Sequence, residues 1–107
     1  MTPLDRTTLG VLLTGTTHYV DIGQDSDAVM YYETPEKAHM RLPNGGILHG
    51  AWSLSDDGYH VDWTGGPSAD WHIAQPGPGR FAYLDGERQQ RGIVTRIVPG
   101  DVEGIAG

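Results

Sequence analysis

The chain contains no cysteine, and lysine occurs once among its 107 residues. Without a thiol, disulfide bridges, thiolate nucleophiles and cysteine-ligated zinc or iron–sulfur sites are excluded. Schiff-base chemistry would depend on Lys37 alone. The sequence also lacks a Gly-x-Ser-x-Gly or Ser-x-x-Lys motif and a glycine-rich loop with the lysine of a nucleotide cradle. These absences argue against several nucleophilic and nucleotide-hydrolysing enzyme classes.

Basic residues and long apolar runs are also scarce. The sequence has seven Lys and Arg in total and 14 Asp and Glu, so its formal net charge is −7. This negative charge argues against a nucleic-acid partner. The first 13 residues hold only the short apolar run Val11–Leu13, so we find no export signal and no membrane span. We therefore expect a cytoplasmic protein without a membrane partner, although a secreted form whose leader has been removed stays open.

What is abundant is turn-forming and apolar residues. There are 16 Gly and 7 Pro, 37% of the residues are hydrophobic, and three are Trp, which is enough for one domain with a buried core. We predict a single β domain over residues 1–107, with 1–7 and 99–107 loosely ordered.

Apolar residues recur with period two in short runs bounded by Gly, Pro, Asp and Asn, which is typical of half-buried antiparallel strands. The runs cover residues 8–13, 17–22, 28–33, 38–42, 47–54, 59–64, 70–74, 80–84 and 92–98. We predict an all-β fold of about eight strands, either a small antiparallel meander barrel (lipocalin-like) or a compact sandwich. At most one short helix is expected, near residues 35–41, because Thr34, Pro35 and Glu36 resemble a helix start; a turn followed by a strand is the alternative.

The segment from Ile47 to Gln75 carries the most chemistry. A tight turn at 55–58 places Trp52 opposite Val61 on an apolar face. Continuing through a turn at 65–69 places Trp71 opposite Trp63 and His72 opposite Asp62. The other face then collects the polar side chains of His49, His60, Asp62, Asp70 and His72.

Our leading functional prediction is a binding domain. Aromatic side chains at a barrel mouth give a ligand an apolar wall with a polar tip. We expect a small molecule or a partner protein to contact Trp52, Tyr59, Trp63, Trp71 and His49.

Two alternatives belong to other classes. In the first, a small cofactor-free or metal-assisted enzyme uses His72 or His60 as general base with Asp62 as its orienting carboxylate, against the simpler view that this face is solvated. No metal-type histidine spacing occurs, so no metal ligand and no cofactor are assigned. In the second, the chain is an inhibitor or mimic that presents acidic turns to a basic partner, through Asp21, Asp25, Asp27, Asp56 and Asp57. A homodimer formed through strand edges is open.

Several residues together resemble a known pattern: Gly50-Ala51-Trp52, Asp57-Gly58, Trp63 and Trp71-His72-Ile73. This G-x-W, D-G, W, W-x-I skeleton is similar to that of small bacterial all-β domain families of unassigned function. The resemblance covers about residues 14 to 100 and implies successive hairpins of one sheet. It implies no catalytic residue, because its positions are turn glycines and core tryptophans.

Overall fold

The computed structural model describes residues 2–33 and 36–106, and these form one closed antiparallel barrel with a short helix. In chain order the elements are α1 (Arg6–Leu13), β1 (Thr16–Asp21), β2 (Ala28–Glu33), β3 (Lys37–Arg41), β4 (Ile47–Leu54), β5 (Tyr59–Trp63), β6 (Ser68–Gly77), β7 (Arg80–Asp85) and β8 (Gln90–Pro99). Each strand pairs with the next, and β8 pairs with β1 to close the barrel. The predicted all-β meander barrel of about eight strands is confirmed.

The alternation of apolar and polar residues explains the inner and outer faces of the wall. The register of β4 on β5 is the predicted one, with Trp52 opposite Val61 and Leu54 opposite Tyr59. Trp52, Tyr59 and Val61 are 5%, 2% and 2% exposed and belong to the barrel core. Here the period-two pattern and the turn at 55–58 together determine which side chains point inward.

The predicted register of β5 on β6 was wrong. The turn ends earlier than expected, because the Trp63 amide donates to the carbonyl of Pro67 and β6 begins at Ser68. Tyr59 therefore faces Trp71 and His60 faces Asp70, whereas His72 faces Leu84 on β7. Each side chain keeps its face, but Asp62 and His72 are not partners.

The short helix also lies elsewhere than predicted. Residues near 35–41 were a helix candidate, yet Lys37–Arg41 is β3, while Thr34 and Pro35 lie outside the described residues. The run 8–13, predicted as a strand, belongs to helix α1. Its Asp5 cap accepts a hydrogen bond from the Thr8 amide at 2.8 Å, and Leu9 and Leu13 share one helical face.

Helix α1 closes one end of the barrel. Leu9 and Leu13 are fully buried in the barrel core, and the Arg6 amide donates to the Asp56 carbonyl in the β4–β5 turn. Burying two leucines at the barrel end outweighs the strand preference of this segment.

Residues at both chain ends also contact the barrel. The Leu4 amide donates to the Ile73 carbonyl at 2.7 Å, and Ile105 is 4% exposed. Glu103 bridges two strands by accepting from Tyr19 on β1 and Arg41 on β3. Loose order at 1–7 and 99–107 stays a prediction. Among residues 2–33 and 36–106, no helix has the length and apolar character needed to cross a membrane.

Candidate functional site

A small cavity lies inside the barrel between β2, β3, β5 and β6. Its volume is about 50 Å³, and its walls are apolar and aromatic: Met30, Tyr32, Met40, Tyr59, Val61, Trp63 and Trp71. Strand β5 starts with Tyr59 beside the helix-side turn and ends with Trp63. The cavity therefore extends from the barrel centre toward the end that the helix leaves uncovered. We call it the mouth cavity.

Three of the predicted wall residues, Tyr59, Trp63 and Trp71, line the mouth cavity together. Trp52 does not line it. Its ring packs edge-on against Tyr32 and Tyr59, with centroids 5.5 and 6.4 Å apart, and its indole nitrogen donates to the Glu33 carbonyl at 3.2 Å. Trp52 therefore packs against Tyr32 and Tyr59 and helps to hold their rings in position.

Three buried tyrosines and one buried histidine form a hydrogen-bonded chain that reaches the cavity wall. Tyr59 Oη lies 2.8 Å from Tyr32 Oη, which lies 2.8 Å from Tyr83 Oη. Tyr83 Oη lies 2.9 Å from Nδ1 of His18, whose side chain is fully buried. We call these four residues the tyrosine–histidine chain. Tyr32 and Tyr59 belong both to this chain and to the cavity wall.

The surroundings of His18 determine the direction of these hydrogen bonds. Burial lowers the pKa of His18 to about 4, so its ring is neutral at neutral pH. Nε2 lies 3.2 Å from the Leu12 carbonyl and 3.0 Å from Thr16 Oγ1. The Thr16 hydroxyl donates to the carbonyls of Leu12 and Leu13, so both neighbours offer Nε2 only acceptors. The ring proton is therefore on Nε2, and Nδ1 accepts from Tyr83.

Each phenol has one proton, so the rest of the chain follows. Because Tyr83 donates to His18, it accepts from Tyr32, and Tyr32 in turn accepts from Tyr59. Burial raises the pKa of all three phenols well above 10, which keeps these protons in place. The chain runs in one direction, from Tyr59 at the cavity to His18 beneath helix α1.

The predicted polar side chains lie on the outer face of the wall. His60 Nδ1 lies 2.8 Å from Asp70, and Nε2 lies 3.0 Å from Asp62, which also accepts from Ser68. The carboxylates of Asp70 and then Asp62 raise the pKa of His60, while Ser68 and then His60 lower that of Asp62. Because both ring nitrogens face a carboxylate, the cluster favours an imidazolium in an ion-pair network.

The other outer histidines have separate partners. His72 Nδ1 donates to the Asp57 carbonyl at 2.8 Å. Nδ1 of His49 lies 2.7 Å from Nδ1 of His39, and Nε2 of His39 lies 2.8 Å from Glu33. Within the described residues, no group of three or more His, Asp or Glu is arranged to hold a metal ion. His49, His60 and His72 thus hydrogen-bond to different partners, and none of these three lines the mouth cavity.

Sequence reasoning missed two parts of this site. The two methionines of the cavity wall carried no functional signal. Tyr32 was among the aromatic side chains expected to line a barrel interior, and the alternation that places Tyr31 and Tyr32 on opposite faces indicates that only one of them faces inward. The alternation of His18 with Val20 indicates an inward histidine at the core. The pattern of one strand could not predict the hydrogen bond between His18 and Tyr83, because these residues lie far apart in the sequence.

No protein-family model, no curated protein and no solved structure matches this chain.

Proposed function

We propose that this barrel binds a small organic molecule in the mouth cavity. The observation that carries the proposal is a cavity with aromatic and thioether walls, two of whose tyrosines continue into a buried polar chain. An apolar site with a few convergent polar groups is the usual form of a small-molecule site. The outer histidines offer less, because both ring nitrogens of His60 are engaged by carboxylates and those of His39 by Glu33 and His49, while Nδ1 of His72 is engaged by a backbone carbonyl.

The size of the cavity limits the ligand. Its volume of about 50 Å³ is far below the 300–1,000 Å³ of drug-sized sites. Met30 and Met40, which face each other on β2 and β3, line it, and the flexible methionine side chain adapts its shape to a ligand. We therefore propose a compact ligand of about one ring, admitted when the methionine side chains rotate.

The three tryptophans provide the test. Phenol is titrated into protein labelled with ¹⁵N, and the three indole N–H resonances are followed. We expect saturable shifts for Trp63 and Trp71 and a smaller one for Trp52, with a dissociation constant on the order of 1 mM. If the Trp63 and Trp71 resonances do not shift when phenol is added in large excess, the proposal is refuted.

A matched pair of variants assigns the site. Val61→Phe adds a ring to the cavity wall and is expected to abolish the shifts, whereas Val102→Phe makes the same change at a residue that is 57% exposed. Equal binding by both variants would place phenol outside the mouth cavity.

The other predictions stay predictions. Of the enzyme alternative, the contact of His60 with Asp62 is present, but Asp70 engages the other ring nitrogen of His60, and His72 is not a partner of Asp62. In the acidic-mimic alternative, Asp21, Asp27 and Asp57 accept hydrogen bonds from within the chain. A partner protein, a homodimer and a cytoplasmic location are untested. A homodimer would use side-chain surfaces, because pairing of β8 with β1 occupies the two terminal strands.

A further inference from the structure

In the tyrosine–histidine chain every O–H and N–H proton is already donated, so its members can only accept further hydrogen bonds. The protons of Tyr59 and Tyr83 are each directed to the next member, the Tyr32 proton is shared between Tyr83 Oη and Met30 Sδ, and the His18 proton is directed to Leu12 and Thr16. Among residues 2–33 and 36–106, Tyr59 Oη has no hydrogen-bond partner except its tyrosine neighbours. A phenol oxygen that donates once can still accept.

On the basis of the proposed function, we infer that the mouth cavity selects molecules with a hydroxyl or N–H group on a compact apolar body, and that this group donates to Tyr59 Oη. A ligand with only acceptors would place its lone pairs against those of Tyr59. An unpaired buried acceptor is costly, so a site of this kind favours donors over acceptors. The mouth cavity is therefore a donor-selective site.

The charge of the molecule sets a second limit. The formal net charge is −7, and among residues 2–33 and 36–106 no Lys, Arg or His lines the mouth cavity. A buried anion without a charged partner pays a large desolvation cost. Since no carboxylate of these residues lines the cavity either, an unpaired cation pays the same cost. The selected molecules are accordingly neutral donors, such as alcohols and phenols.

Phenol and fluorobenzene test this inference, because they have nearly the same shape and only phenol carries a donor. Both are titrated into the full chain and followed by the indole resonances of Trp63 and Trp71. We expect phenol to bind about fivefold more tightly, the ratio that corresponds to one net hydrogen bond. Equal affinities would overturn donor selection and leave the proposed function standing, whereas the absence of binding by both probes would overturn both.

Tyr59→Phe tests the assigned contact, with Tyr31→Phe on the outer face as the matched control. The substitution removes the acceptor and keeps the ring, so the phenol-to-fluorobenzene ratio is expected to fall to about one while fluorobenzene binding persists. Tyr31→Phe is expected to keep the fivefold ratio. A ratio that survives in Tyr59→Phe would overturn the role of Tyr59. The comparison of the two probes on the unmodified chain stands independently of whether this variant folds.

Discussion

At the scale of single residues, His18 is the most constrained polar group of the barrel. It lies in the core with both ring nitrogens hydrogen-bonded, and no buried side-chain polar atom of the described residues lacks a partner. Burial holds its pKa at about 4, below the usual value of 6.5. The ring is thus a fixed acceptor at the end of the tyrosine–histidine chain. Because it fixes the direction of the hydrogen bonds, His18 determines that Tyr59 Oη acts only as an acceptor toward a ligand.

This burial predicts a pH dependence of stability. Below pH 6.5 the unfolded chain binds a proton at His18 that the folded chain does not bind until about pH 4, so acidification lowers the free energy of unfolding. From pH 7 to pH 5 we expect His18 to account for a loss of about 2 kcal/mol. Urea unfolding at both pH values measures the loss, and His18→Asn, which cannot titrate, should lack it. Equal losses in the two proteins would contradict the prediction, as would an NMR titration of the His18 ring near pH 6.5.

At the scale of elements, the wall depends on close strand approach at a few glycines. A Cβ at Gly50 on β4 would collide with the carbonyl oxygen of Asp62 and lie 2.9 Å from Cα of Trp63 on β5. These backbone atoms belong to the paired strand and cannot rotate away. Gly50 thus permits the β4–β5 contact that positions Trp63 at the mouth cavity.

We therefore expect Gly50→Ala to destabilise the fold by about 2 kcal/mol or more. Gly77→Ala on β6 is the matched control, because the nearest atom to its new Cβ is 3.8 Å away, and its effect should stay within about 0.5 kcal/mol. Denaturant unfolding measures both. A Gly50→Ala protein as stable as the Gly77→Ala protein would show that the two strands can separate at little cost.

At the scale of the whole molecule, the barrel has one long-range seam. Strands β1 to β8 pair in sequence order, and among the strands that the structure describes the pairing of β1 with β8 is the one that joins the first strand to the last. Closing a long loop costs more entropy than closing a hairpin, so we expect this seam to form late in folding.

Two buried valines test this order. Val20 pairs across the seam with Val94, whereas Val61 pairs with Trp52 in the β4–β5 hairpin; both are almost fully buried. Each change to Ala should cost about 2 kcal/mol. In stopped-flow experiments Val20→Ala should mainly speed unfolding, and Val61→Ala should mainly slow refolding. The reverse assignment would indicate that the seam nucleates folding.

The sequence by itself determined the strand class, the inward and outward faces, and the β4–β5 register, because period-two alternation and turn residues act over a few neighbouring positions. It also predicted that Tyr59, Trp63 and Trp71 share a face. Only the tertiary structure decided that residues 6–13 form a helix over a barrel end, that β6 starts at Ser68, and that His18 joins three distant tyrosines. These features depend on contacts between segments that are far apart in the sequence, and a local residue pattern does not specify such contacts.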